Sequence, residues 1–572
     1  MTPEKRAKQL VTQMTVEEKI GQILLLDIRH WKTAEETKGL TVLNDEIRSI
    51  IRRYHLGNII LFEENCADTK SLCKLTYELQ QTAAAGGDLP LLIGTDQEGG
   101  DITKLGTGTG LSGNMALGLS ENIENAYLSG QVIGSELKAV GINCNFSPVA
   151  DVTGNYDNAV IRNRSFSNNA ALTAKMAEAM SLGIMSQGVI SCAKHFPGHG
   201  AVKDDSHSRL PLISTTKKEW YVRDAMPFRK LIRSGVPMIM VGHLQFPAMD
   251  RTQYEFLKKG ETIYLPASLS RRIITGILKR KMGFKGVVIT DSLKMNAVSA
   301  YFTPCIAAVM AFCAGADMLC MPVTLRSASD TAELDTLYLA IKNAADRGII
   351  PHKRLDDAVT RVLTMKIRAG ILDADYNYDV RAAAEAADAF VGGPENRETE
   401  RRIADACVKL VYNGRFEAFG TNDEKRTVFF MPNKEAYYSV LHAVSYMGKK
   451  GKTLNARVFC YQDMEEPTSE MIESLNTADN LIVGSAGLWG APSGKTSRMS
   501  TIPETILTKA SAKHIAVICI GNACEAEDFD DSYPKFILAN SGGMDPEDVG
   551  REKFLHRYSP AIPAAVYRIF GV

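Results

Sequence analysis

The chain has 572 residues, 45% hydrophobic and 23% charged, and its 66 Lys and Arg balance its 66 Asp and Glu. A chain this long outgrows one compact core, so two or more domains are expected. Charge balance excludes the signature of a nucleic-acid or membrane-surface partner, and no apolar run approaches the roughly 18 residues that crossing a bilayer requires.

The first residues, Met1-Thr-Pro-Glu-Lys-Arg, lead into mixed polar and apolar sequence without the apolar core of a secretory leader. From there to about residue 370, short apolar runs at 20–26, 56–62, 89–96, 142–148, 189–195, 237–243, 286–291 and 316–321 read as strands. Between them, 68–85, 121–140, 170–187, 217–234 and 268–281 read as amphipathic helices. Eight strands separated by helices predict a (β/α)8 barrel over residues 1–375. An open doubly wound sheet also places ligands at strand C-termini, but the eight units and the lack of a glycine-rich dinucleotide fingerprint favour the barrel. Residues 376–395 read as a linker with an entry helix. New strand candidates follow at 407–412, 426–431, 456–461, 480–484, 514–520 and 536–539, so 396–572 is expected to form a smaller α/β layered domain, a sandwich of helices on a sheet. Its glycine-rich stretch from Gly484 to Lys495 lacks phosphate-loop spacing and reads as a surface loop.

Eleven scattered cysteines, several of them (Cys144, Cys192, Cys320, Cys407, Cys460, Cys519) in or beside apolar runs, read as free thiols in a cytoplasmic protein. Chemistry concentrates after the fifth predicted strand. Lys194-His195-Phe196-Pro197-Gly198-His199-Gly200 and the residues on to His207 place two Lys, three His and two Asp within fourteen positions. Functional loops on a rigid scaffold have this composition. Other strand tips carry Asp96-Gln97-Glu98, the run from Asn145 to Asp151, Gly242-His243 and Asp291-Ser292. A carboxylate at a strand tip can accept hydrogen bonds from two sugar hydroxyls. Asp291 alone would read as a helix N-cap; beside the His-rich loop it becomes a nucleophile candidate.

Taken together, Lys194-His-Phe-Pro-Gly-His-Gly200, Asp205-Ser206-His207, Asp96-Gln-Glu-Gly-Gly100, Arg164-Ser-Phe-Ser167 and Val288-Ile-Thr-Asp-Ser-Leu-Lys-Met295 resemble glycoside hydrolase family 3, and within it the β-N-acetylglucosaminidases of peptidoglycan recycling. Gly113-Asn-Met-Ala-Leu-Gly118, Asn145-Phe-Ser-Pro-Val-Ala-Asp151 and Gly315-Ala-Asp-Met318 extend the resemblance across residues 10–370; the second domain is similar to that of two-domain Gram-positive members. The resemblance implies a retaining, exo-acting enzyme that removes N-acetylglucosamine from muropeptides or chitooligosaccharides, without a metal or other cofactor. It implies Asp291 as nucleophile, His207 as general acid/base and Asp205 as its orienting partner. Asp96, Lys104, Arg164, Lys194 and His195 would bind the sugar. Lys104 stands where the family typically has Arg, keeping the charge but not the two-pronged donor fork. The expected partner is a small carbohydrate, with no nucleic acid or membrane, and the expected state is a monomer or weak homodimer. Alternatives on the same residues are phosphorolysis to a sugar 1-phosphate, a family 3 β-glucosidase or β-xylosidase, a metal site from His195, His199, Asp205 and His207, and a non-enzymatic sugar-binding protein.

Overall fold

A computed structural model of the chain describes residues 1–572 apart from 33–36, 67, 154–157, 159, 203–209, 257–260, 463, 465, 487–497, 522 and 540–559. Eight short, fully buried parallel strands run in chain order around the first domain: β1 (Leu24–Asp27), β2 (Asn58–Ile60), β3 (Leu92–Thr95), β4 (Cys144–Asn145), β5 (Ile190–Phe196), β6 (Met238–Val241), β7 (Val287–Thr290) and β8 (Leu319–Cys320). Each pairs with its predecessor from β2 to β7, and β8 pairs with β1. A parallel bridge from Ile289 to Met318, with the Thr290 amide donating to the Met318 carbonyl at 3.3 Å, brings β7 and β8 together. The result is a nearly closed (β/α)8 barrel, as the alternation of strands and helices implies.

Its interior is filled by Leu25, Ile60, Leu92, Phe146, Ile190, Ile289 and an unusual share of sulfur side chains, among them Cys144, Cys192, Met238, Met240, Met318 and Cys320. Thioethers and thiols adapt to the irregular gaps that strand tilt leaves. Gly94 is needed there: a Cβ at that position would stand 2.8 Å from the Phe146 ring.

The second domain is an open six-stranded sheet: β9 (Lys409–Val411), β10 (Arg426–Met431), β11 (Asn455–Cys460), β12 (Asn480–Ser485), β13 (His514–Cys519) and β14 (Lys535–Ile537). Its spatial order is β9-β14-β13-β12-β10-β11, parallel except for β9 against β14. Separate apolar clusters cover the two faces, one under helices Lys434–Lys449 and Ala561–Phe570, the other under Ser469–Thr477 and Arg498–Lys509. Between the domains, helices Val380–Phe390 and Pro394–Cys407 contribute Ala384, Ala387, Ile403 and Cys407 to the barrel's outer core.

Three elements differ from their sequence patterns, one being 268–281, which is a 3₁₀ turn at Ala267–Leu269 followed by a π-helix at Arg272–Lys281. The run at 20–26 is a helix before it is a strand: Thr15 and Glu18 form a capping box that starts helix Val16–Ile23, and β1 begins only at Leu24. A short continuous apolar run cannot by itself tell a buried helix turn from a buried strand. The helix expected over 217–234 is broken into Lys217–Val222 and Ala225–Arg233. Pro227 has no amide hydrogen to continue the first helix, but it fits the opening turn of the second.

The seam between β7 and β8 is reinforced by Asp317. Fully buried, its carboxylate accepts from Lys279 Nζ at 2.8 Å and from the Val288 amide at 3.0 Å, with Arg354 Nη1 at 3.2 Å. Removing one member of a buried ion group costs about 3–5 kcal/mol. Asp317→Asn should therefore lower the melting temperature by several degrees, measured by circular dichroism; an unchanged melt would contradict this account of the seam.

Candidate active site

The C-terminal ends of the barrel strands converge on one mouth, and its floor is a network of buried charges. Asp96 and Glu98 follow β3, and Lys194 and His195 lie in β5. Lys194 Nζ reaches Asp96 Oδ1 at 2.5 Å and Glu98 Oε1 at 2.6 Å. Glu98 also takes the Arg164 fork in two-pronged fashion, Nε to Oε2 at 2.9 Å and Nη2 to Oε1 at 2.8 Å, while Arg164 Nη1 donates to the Val160 carbonyl. Burial alone would raise the Glu98 pKa. Arg164 and Lys194 overcome that and hold its carboxyl far below the usual range. Burial likewise opposes the Lys194 charge, yet Asp96 and Glu98 leave its pKa raised. Side-chain exposure divides the labour: Asp96 keeps 23% and Arg164 13%, against 2% for Lys194 and 1% for Glu98. A ligand in the mouth would meet Asp96 and Arg164 first.

The loop after β3 is tied down through Gln97. Its backbone exchanges hydrogen bonds with the Asn145 amide, at 2.9 and 2.8 Å, and its Oε1 accepts from the Lys104 and Leu105 amides. Lys104 thus joins the loop through its backbone; burial pushes the Cys66 thiol up to about 12, and the Lys104 ammonium offsets only part of that rise.

His195 is set by a second buried carboxylate. Asp151 accepts from His195 Nδ1 at 2.8 Å, from the His195 amide at 3.2 Å and from the His199 amide at 2.6 Å. A carboxylate can only accept, so Nδ1 carries the hydrogen and Nε2 is left as the other pole of the ring. Burial opposes the Asp151 charge, but His195 and then His199 leave its pKa below the ordinary value. The Lys194–His195 peptide bond is cis.

Asp291 follows β7 and is partly buried. Its Oδ1 accepts from the Ser292 amide at 2.7 Å, and its own amide donates to the Val241 carbonyl at 2.9 Å. Burial would raise its pKa; His195, His243, the Ser292 amide and Lys194 outweigh burial, so its carboxyl is lowered and ready as an anion. Across the mouth, buried Asp27 at the tip of β1 pairs with Lys294 Nζ at 3.1 Å and Arg326 Nη1 at 2.8 Å.

Of the residues singled out from sequence, Asp96, Arg164, Lys194 and His195 come together with Asp291 in this mouth. Lys104 lies on its rim loop, and Asp205 and His207 fall outside the described residues. Glu98, Asp151 and His243 carry much of the electrostatics without having been assigned roles. Each lies at or just beyond the end of an apolar run, which was the signal available. The second domain reaches the same region: Asn163 Nδ2 donates to the Gly521 carbonyl, and Leu119 packs against the cluster beneath β12.

Comparison with known proteins places this geometry. Residues 15–365 match the model for the glycosyl hydrolase family 3 N-terminal domain. The chain is 31% identical over 456 residues to beta-hexosaminidase A of Pseudoalteromonas piscicida, covering 77% of this chain and 74% of that protein. It is 34% identical over 286 residues to a beta-hexosaminidase of Psychromonas ingrahamii, covering 48% of this chain and 78% of the relative. Among solved structures, a glycoside hydrolase family 3 beta-N-acetylglucosaminidase from Paenibacillus sp. str. FPU-7 superposes with a TM-score of 0.78 at 28% identity, over 98% of this chain and 97% of that one.

The buried groups predict an acid-side stability profile. Burial pushes the His199 pKa from 6.5 to about 4, so between those values the unfolded chain binds a proton that the folded one does not. Stability from this group therefore falls as pH drops from 6.5 to 4, at about 1.4 kcal/mol per unit. Asp224, which burial pushes up to about 6, acts in the opposite sense. The measurement is thus a comparison: by urea unfolding, the stability of His199→Asn relative to the parent should rise as pH falls from about 6.5 to about 4.5. Parallel profiles would contradict a neutral His199.

Proposed function

The chain belongs to glycoside hydrolase family 3, and from that premise we propose that it is an exo-acting, retaining β-N-acetylglucosaminidase working through a covalent glycosyl-enzyme. The observation that carries the reading is the convergence of Asp96, Arg164, Lys194 and His195 beside a partly buried Asp291 whose carboxyl pKa is lowered. The names of the relatives, two beta-hexosaminidases and a beta-N-acetylglucosaminidase, support the choice of sugar.

In this reading the sugar hydroxyls bind Asp96 and Arg164, with Lys194, His195 and Lys104 completing the subsite. Asp291 attacks the anomeric carbon while His207, oriented by Asp205, protonates the departing oxygen. His207 then takes a proton from water, which displaces the Asp291 ester, so two inversions give net retention. The proposed substrates are muropeptides or chitooligosaccharides. The proposed setting is cytoplasmic peptidoglycan recycling, which the buried thiols of Cys66, Cys73, Cys144, Cys192, Cys320 and Cys407 support.

Assay on p-nitrophenyl glycosides tests the sugar: the N-acetyl-β-glucosaminide should be cleaved at least tenfold faster than the glucoside or xyloside, and the reverse order would refute the assignment. Asp291→Ala should lose activity on every substrate, whereas His207→Ala should lose roughly 10²–10⁴-fold on poor leaving groups and far less on activated ones. Stereochemistry followed by proton NMR should show the β-anomer released first; initial α-product would exclude the covalent route.

A further inference from the structure

The turn Gly242-His243-Leu244-Gln245 follows β6, between the nucleophile's strand and the His-rich strand β5. It is tied to β5 by the Gly242 amide, which donates to the Phe196 carbonyl at 2.9 Å. Two of its side chains make contacts in opposite directions. We propose that this turn is the common footing of the two catalytic groups: His243 positions Asp291, and Gln245 positions the chain that carries His207. This rests on the roles given to Asp291 and His207 above.

His243 is fully buried, and both of its ring nitrogens are engaged, Nε2 with the Ser292 carbonyl at 2.8 Å and Nδ1 with Ser268 Oγ at 2.8 Å. A carbonyl oxygen only accepts, so Nε2 carries the hydrogen, while the Ser268 hydroxyl, able to donate or accept, holds Nδ1. The Ser292 residue held in this way presents its own amide to Asp291 Oδ1 at 2.7 Å. Ser268, His243, Ser292 and Asp291 thus form one hydrogen-bonded series ending on the carboxylate that must point at the anomeric carbon. Loss of the His243 bond frees the Ser292 carbonyl and lets the carboxylate turn; a misplacement of about 1 Å can cost on the order of 10²-fold in rate.

Gln245, two residues on, holds the other side. Its amide donates to the Pro211 carbonyl at 2.9 Å, its carbonyl accepts from the Ile213 amide at 2.8 Å, and its Nε2 donates to the Leu210 carbonyl at 3.1 Å. Its Oε1 accepts from the Tyr264 amide at 2.8 Å, fastening the clasp to the segment that leads to Ser268. Leu210 lies three residues after His207 in the chain. The upstream end is equally fixed: the His199 amide is bound to Asp151, Trp220 Nε1 donates to the Pro197 carbonyl at 2.7 Å, and a Cβ on Gly200 would lie 1.9 Å from the Val152 carbonyl. Gln245 therefore holds the described segment from Leu210 to Ile213, which begins three residues after His207 in the chain.

The two halves give different kinetic signatures on a series of aryl N-acetyl-β-glucosaminides of graded leaving-group acidity. His243→Leu should lower kcat about 10²-fold evenly across the series with KM little changed. His243→Gln, whose longer amide can still donate to the Ser292 carbonyl, should recover at least tenfold of that loss. Gln245→Leu keeps the backbone bonds and loses the two side-chain bonds, so its loss should grow as the leaving group becomes poorer, in parallel with His207→Ala. With an activated aryl glycoside, added azide should restore its turnover by displacing the Asp291 carboxylate at the anomeric carbon, giving β-glycosyl azide. An uneven loss in His243→Leu, or Leu and Gln variants of equal rate, overturns the first half; should His243→Leu fail to fold, equal rates for His243→Gln and His243→Asn overturn it instead. Even losses or no azide rescue in Gln245→Leu, beside a His207→Ala that shows both effects, overturn the second. An even loss in His207→Ala removes the acid/base assignment itself, and the Gln245 half with it.

Discussion

The Glu98 carboxylate is buried between two cations, and a charge at that depth is tolerated only when it is paired and fully hydrogen-bonded. Arg164 meets it with its planar fork and Lys194 with its ammonium, so three strand-tip segments that lie far apart in the chain are locked together by one anion. Asp96 is then the member of the group with the most exposed side chain. The mouth of the barrel is thus pre-arranged before a ligand arrives, which limits the ordering cost that binding must meet.

The same logic recurs around the ring of strands. Asp151 holds His195, Asp27 gathers Lys294 and Arg326, and Asp317 ties β7 to β8 with Lys279 and Arg354. Each is a buried acid whose partners come from neighbouring strands or helices. A barrel whose strands are only two to seven residues long offers few backbone ladder bonds per strand, and these side-chain ties supplement them, Asp151 and Asp27 at the mouth and Asp317 at the opposite end. The second domain extends the arrangement through Asn163 and Leu119, on segments adjoining Arg164 and the loop after β3.

Strand positions were readable because fully buried parallel strands appear as continuous apolar runs. The segment 426–431 matches β10 in full, and 480–484 and 514–520 differ from β12 and β13 by one residue at one end. Two boundaries were lost where a second signal competed: the capping box of Thr15 and Glu18 just ahead of an apolar run, and Pro227 within a helical one. Asp96, Arg164, Lys194, His195 and Asp291 were legible as candidates because each belongs to a motif with several distinctive neighbours. Glu98, Asp151 and His243 were visible as residues but not as actors, since an acid or imidazole acquires its role from what lies opposite it.

The sequence by itself determined the barrel, the second layered domain and the family, because periodicity and local motifs are properties of neighbouring residues in the chain. It could not determine who pairs with whom across the mouth. That Arg164 spends its fork on Glu98, that Lys194 bridges two acids, and that one turn after β6 touches both the nucleophile's peptide and the stem beyond His207 were decided by tertiary structure. The reason is electrostatic and geometric: buried polar groups must be satisfied, and only the closed ring of strands brings together partners that lie tens to more than a hundred residues apart.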